Sequence, residues 1–231
     1  MEKMKIALVM AGDEEGGLEK HVVEMANGFA DRGHVVSVIA HAKYGDRFDA
    51  HVRFFPTNLA RGRRNLIALW QLWMALRASA AEVVHAHGSK AASMVGILLP
   101  WLRMGSVATL HSRKKKVGMF RRFQRVIAVS RISTLSLEHP GIRVIHNGIV
   151  PPAPVSAPAF DAWAGLSGGK RVLAVGRLVP VKGFDVLLKA CQGLDASLAI
   201  AGDGFERAAL EQQIETLSAS SKAKLPITMS L

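Results

Sequence analysis

One cysteine in 231 residues, Cys191, excludes an intrachain disulfide and a cysteine-based zinc cluster. It falls in a predicted helix, where a small apolar core residue is its expected role. Long apolar runs are also missing. The best candidate, residues 91–102, is short and is broken by Pro100, so no segment reads as a membrane span. The run at residues 6–11 is too brief for a secretory signal and leads into Asp13, Glu14 and Glu15. A cytoplasmic protein is expected, with attachment to the inner face of the cytoplasmic membrane as an option. Acidic residues are the scarcer sign: 18 Asp and Glu stand against 30 Lys and Arg, for a net charge of +12. That excess points to anionic partners, either nucleic acid, a membrane surface or phosphorylated substrates. No zinc finger, RNA-recognition signature or aromatic stacking platform accompanies it, which argues against nucleic acid.

What is present is alternation. Short apolar runs at residues 6–10, 35–40, 51–55, 83–86, 107–110, 126–129 and 143–145 read as strands. Helical spacing separates several of them, at residues 18–30, 66–76, 90–99 and 132–137. Gly33 follows the first helix as a C-terminal glycine would. Wholly apolar strands alternating with helices predict an α/β fold with a parallel sheet covered on both faces. Pro151, Pro152, Pro154 and Pro158 then mark a stiff linker. The strand–helix order restarts at residue 171 and runs through a second strand at 197–201 and a helix at 206–217. The domains are therefore expected at 1–150 and 171–231, joined by a linker at 151–170.

The richest stretch is VLAVGRLVPVKGFDVLLKA, residues 172–190. A buried strand meets Gly176 and Arg177, then Lys182 and Gly183, and a helix begins at Phe184. A strand feeding a helix start suits phosphate, because free backbone N–H groups and the dipole face the anion. Arg177 adds a planar fork and Lys182 a point charge, both suited to a diphosphate. The plainer alternative is a pair of solvated loop cations. Gly16 and Gly17 open the first helix after the first strand, where a dinucleotide loop would lie, but the G-x-G-x-x-G spacing is absent. They either admit a ligand to the backbone or only tighten a turn.

His85 and His87 share one strand face near its C-terminal end, the end at which parallel sheets bind ligands. A zinc pair is conceivable, but no third ligand stands nearby in sequence, so hydrogen-bonded histidines at the core or cleft edge are expected. His111 directly follows an apolar strand and is the best candidate donor to a substrate oxygen. Arg113, Lys114, Lys115, Lys116, Arg121, Arg122 and Arg125 surround Val117, Met119, Phe120 and Phe123. This mixture predicts a basic surface helix, suited to anionic lipid or simply solvated. Arg61, Arg63 and Arg64 would extend it.

Taken in order, these segments resemble the retaining glycosyltransferases of family four, built on the two-Rossmann GT-B architecture. The carriers are GGLEKHVVEMANGFADRGHVVSV from Gly16, VVHAHG from Val83, TLHS around His111, VIAVS from Val126, VIHNGI from Val144, VGRLVPVKGFDVLLKA from Val175 and LAIAGDGFERAALE from Leu198. The resemblance reaches to about Ile214. It implies metal-free, cofactor-free transfer of a sugar from a nucleotide-diphosphate donor to an acceptor hydroxyl, with retained anomeric configuration. Arg177 and Lys182 would hold the donor diphosphate, helped by Gly16 and Gly17, and His111 would act on the donor as the catalytic candidate. His87, Asn147, Gly202 and Gly204 would line the substrate cleft. A glycan or glycolipid acceptor of the cell envelope, lipopolysaccharide in particular, fits the basic surface, and no nucleic-acid partner is expected.

The family continues its second domain through a Glu-x(7)-Glu motif, whereas residues 218–231, SASSKAKLPITMSL, depart from the strand pattern. A truncated second domain of two strand–helix units and impaired turnover are expected. Two other classes remain in view: a non-catalytic acceptor- or lipid-surface-binding module, and a Rossmann oxidoreductase. The missing glycine spacing and ribose-binding acid count against the latter.

Overall fold

The computed structural model describes residues 2–12, 16–148, 170–220 and 227–230. Two compact units divide the chain, Met1–Pro151 and Pro152–Leu231. The predicted proline linker lies outside the described residues.

The first unit runs β1 (Lys5–Met10), α1 (Gly17–Asp31), β2 (Val35–Ala40), β3 (Arg53–Pro56), α2 (Leu66–Ser79), β4 (Val83–His87), α3 (Gly88–Leu98), β5 (Gly105–Leu110), β6 (Arg125–Ala128), α4 (Arg131–Thr134) and β7 (Ile142–Val144). Its seven strands form one sheet in the order β3-β2-β1-β4-β5-β6-β7, with every pair parallel. The order reverses between β1 and β4, so a crevice opens at their C-terminal ends, where open α/β sheets take ligands. β1 shows why the sheet needs cover on both faces. Ala7, Val9 and Ala11 enter one core with α2 and α3, while Ile6, Leu8 and Met10 enter the other with α1.

Local chemistry sets the helix limits. The Asn65 side chain accepts a hydrogen bond from the Ala68 amide at 3.0 Å, capping α2. Ala80 ends that helix in a left-handed conformation, φ 49°. α2 buries Ala68, Leu69, Leu72, Ala75 and Leu76 but leaves Leu66, Ile67, Trp70 and Met74 exposed. α4 is a single turn, shorter than the predicted 132–137 helix, because the Ser130 hydroxyl caps its start and Leu137 already turns into the core.

The expected basic surface helix does not form. Residues 113–116 are an exposed irregular segment, and only one 3-10 turn, Gly118–Arg122, follows. Val117, Phe120 and Phe123 are spent on the core around α3 instead. They leave no apolar stripe for lipid; the cations alone face solvent.

The second unit comprises β8 (Lys170–Val175), α5 (Phe184–Ala190), β9 (Ala196–Ala201), α6 (Arg207–Ser220) and β10 (Ile227–Ser230). The sheet order is β10-β9-β8, all parallel. β10 corrects the expectation that the tail abandons the strand pattern: residues 227–230 pair with residues 198–201 of β9. Ile227, Thr228 and Met229 are β-prone, but the preceding Ser, Lys and Ala residues obscured a strand of only four residues. Among the described residues β8 is an edge strand, and its Leu173 and Val175 are exposed. Cys191 packs with Leu178, Phe184, Leu188, Leu198, Ile200 and Leu210, the small core role expected of it.

Candidate functional site

In the first unit, register assembles the site. Met10 stands beside His87 on β4, and His87 beside Thr109 on β5. His111 therefore emerges two residues beyond Thr109, next to the end of β4. α1 starts one short loop after β1, so its first turns return to the same crevice and carry His21 there. The outcome is a cluster of histidine rings. His87 Nδ1 is 3.3 Å from His111 Nε2. Ring centroids are 5.8 Å apart for His21 and His87, 5.2 Å for His21 and His111, and 4.1 Å for His85 and His87.

His85 lies behind the others and is anchored by Thr109, with Nε2 and Oγ1 2.7 Å apart. Burial holds all four imidazoles toward the neutral form, the desolvated imidazolium being costly. His111 is lowered to about 4 by burial, with a further push from His21. His85 falls to about 3 for the same main cause, with His111 and His21 adding to it. His87 is pushed well below its ordinary value by burial and its three neighbours. Burial also lowers His21, against a partial counterweight from Glu24. Near neutral pH the cluster thus offers uncharged rings that can donate one hydrogen bond and accept another.

Among the described residues two buried polar atoms here lack partners, His87 Nε2 and Ser89 Oγ in the first turn of α3. Neither Ser89 nor His21 stood out in the sequence. His21 sits inside the quoted GGLEKHV segment, five residues after Gly16, and only the parallel register of β1 and β4 reveals its meaning. The third imidazole that His87 lacked in sequence is supplied by α1, which corrects the view of an isolated histidine pair.

Among the described residues Gly16 precedes α1 without a side-chain cap, and a methyl group at Gly17 would meet nothing within 4 Å. At Gly16 a methyl group would instead stand 3.3 Å from the carboxylate of the buried Glu19, which shares the first turn of α1. Asn147 is exposed beyond β7, the edge strand, three strands along from β4. It shares the C-terminal end of the sheet but does not join the histidine cluster. A pocket of about 560 Å³ lies beside the cluster, with Met25, Phe29, Val107 and Ile127 among its apolar walls and His21, Glu24 and His85 as polar points.

In the second unit, Arg177 and Lys182 are both exposed in the turn between β8 and α5. Neither has an ion-pair partner among the described residues. The turn is held from beneath: the Leu178 amide donates to the Asp203 carbonyl at 2.8 Å, and the Glu206 amide donates to the Leu178 carbonyl at 3.2 Å. Leu178 itself is fully buried. A side chain at Gly202 would collide with the Gly176 carbonyl, and one at Gly204 with the Leu178 carbonyl. The sequence suggested that Gly202 and Gly204 face a ligand; the structure gives them a second duty, the close approach of two loops.

The chain is similar to curated and solved proteins along nearly its whole length. It is 28% identical over 218 residues to the phosphatidyl-myo-inositol mannosyltransferase of Mycobacterium tuberculosis, covering 83% of this chain and 58% of that protein. It therefore spans less than two thirds of that relative. A glycosyltransferase from Rickettsia africae superposes with a TM-score of 0.78 at 18% identity, covering all of this chain and 68% of the other. Anabaena HepE, solved with UDP and glucose, gives 0.73 at 21% identity, covering 98% and 68%. These likenesses show the GT-B type of fold with its two parallel-sheet units. The Glycosyl transferases group 1 model matches residues 160–230, well past Ile214 and through β10. With the Glycosyltransferase Family 4 model matching residues 15–151, more than half of its length, the chain belongs to glycosyltransferase family 4.

Proposed function

We propose that the protein transfers a sugar from a nucleotide-diphosphate sugar to the hydroxyl of a cell-envelope glycolipid or glycan, with retention at the anomeric carbon. The acceptor O–H bond breaks and a new C–O bond forms at that carbon. The bond from the anomeric carbon to the diphosphate oxygen breaks, and the diphosphate leaves with the electron pair while the acceptor proton passes to it. The chief chemical demand is charge on the leaving diphosphate, which positioned cations and N–H groups can meet. Arg177 and Lys182 supply this charge without a metal ion. Gly16 and Gly17, lacking side chains, would let a phosphate or sugar oxygen approach the start of α1. His111, kept neutral, donates to the donor sugar, and His87 orients it. Asn147 belongs to the acceptor-side cleft, and Gly202 and Gly204 to the nucleotide side.

One observation carries this reading: two exposed cations, without ion-pair partners among the described residues, stand five residues apart on a turn braced by a buried leucine, in a chain of this family. The apolar pocket beside the histidines supports a lipid-bearing acceptor. Among the described residues no helix is long and apolar enough to cross a membrane. The exposed Leu66, Ile67, Trp70 and Met74 of α2, preceded by Arg61, Arg63 and Arg64, support peripheral binding to an anionic bilayer.

Thermal shift with UDP-, GDP- and ADP-sugars beside NAD, followed by transfer assays on extracted envelope lipids, tests the proposal. Stabilisation by a nucleotide sugar and label appearing in lipid are expected. Stabilisation by NAD alone would overturn it. Lipid binding without donor binding or transfer would favour the non-catalytic module.

A further inference from the structure

The strongest feature outside the transfer chemistry is the set of nitrogens in the crevice of the first unit. We propose that His21, His87 and His111 bind a single borderline transition-metal ion of the Zn²⁺ class. Each residue presents one ring nitrogen, and the three lie within 4.8 Å of one another. Zn²⁺ binds histidine nitrogen at about 2.0–2.1 Å, so tetrahedral ligand atoms stand roughly 3.4 Å apart. His87 Nδ1 and His111 Nε2 already hold that spacing, at 3.3 Å. The remaining edges close by a ring rotation of His21, which is only half-buried on the first turns of α1.

The ligand set selects the ion. Three imidazoles without a carboxylate or thiolate suit Zn²⁺, Co²⁺, Ni²⁺ or Cu²⁺, and disfavour Mg²⁺ and Ca²⁺, which want oxygen. The His87 ring is also held from one side. His85 packs against it with centroids 4.1 Å apart, and Thr109 fixes His85. That packing limits how far the His87 ring can turn. His21 and His111 are each partly open to solvent, which provides an entry path and leaves the fourth position for water. Because His111 is shared, the ion would compete with a sugar donor; that consequence rests on the transfer reading, whereas metal binding does not.

The test uses the untagged full chain, stripped with chelator. Zn²⁺ is titrated by calorimetry, and Co²⁺ by its visible d–d absorption. One saturable equivalent is expected, with a Co²⁺ band of low coordination number. His21→Ala and His111→Ala should each weaken binding by at least about tenfold, while His51→Ala, at an exposed position, should leave it unchanged. Melting curves without metal check folding, and His21→Asn and His111→Asn replace any alanine variant that fails to fold. Absence of a saturable equivalent, undiminished binding in the His21 and His111 variants, or equal loss in His51→Ala would each overturn the proposal.

Discussion

His87 Nδ1 stands 3.3 Å from His111 Nε2, joining the end of β4 to the residue just past β5. The contact ties the candidate catalytic imidazole to one that is almost fully buried, so His111 has little freedom to turn away. On the transfer reading, His111→Ala removes a donor from the developing charge. The expected loss in kcat is about 10²–10³-fold. Initial rates with the preferred donor measure it. Undiminished turnover would remove His111 from the mechanism.

Arg177 and Lys182 should act on donor affinity rather than on stability. Each is exposed and unpaired among the described residues. Arg177→Ala or Lys182→Ala should weaken nucleotide-sugar binding by about tenfold or more, as expected for a charge-assisted hydrogen bond. Calorimetric titration at two salt concentrations reads this, and a shallower salt dependence should accompany each loss. Equal affinity in both variants would return these residues to the class of solvated loop cations.

Gly202 and Gly17 should behave oppositely. Gly202→Ala drives a methyl group into the Gly176 carbonyl, so a loss of about 1–3 kcal/mol and a lower melting temperature are expected. Gly17→Ala meets open space among the described residues and should leave the melting temperature nearly unchanged while impairing donor or acceptor binding. Thermal unfolding of the two variants side by side distinguishes a packing glycine from a binding one.

Acid should unfold the first unit early, in chelator so that no metal contributes. His21, His85, His87 and His111 all carry folded-state values below the ordinary 6.5, with Glu24 the opposing charge near His21. Between 6.5 and the folded values the unfolded chain binds more protons, so stability is full above about pH 6.5 and falls as pH drops toward 4 and 3. Urea midpoints from pH 8 to pH 4 test this. His85→Gln should flatten the slope. A pH-independent midpoint above pH 5 would show that the cluster is not a store of neutral histidine.

The exposed face of α2 gives a further measurable outcome. Trp70→Ser with Leu66→Ser should reduce sedimentation with anionic vesicles several-fold at low salt without lowering the melting temperature, since both residues face solvent. Retention that persists in the double variant would move any lipid contact elsewhere.

Much of this architecture was legible because short, largely apolar runs of four to six residues between helical segments are hard to mistake. Residues 6–10, 35–40 and 107–110 each fall within a strand of the structure. What escaped was set by tertiary context. Val117, Phe120 and Phe123 have the spacing of an amphipathic surface, yet they close the core below α3. His21 carries no local signal, since its partners are 66 and 90 residues away in sequence and meet it only through strand order. Gly202 and Gly204 look like ligand-facing glycines, and only the carbonyls of Gly176 and Leu178 disclose the second reason for them.

Leu178 is hydrogen-bonded through both its amide and its carbonyl to the segment that precedes α6. The turn bearing Arg177 and the turn at residues 202–204 are therefore stitched into one mechanical piece. Slowed amide exchange on one side should be felt on the other, and evolution cannot lengthen either turn without re-cutting both.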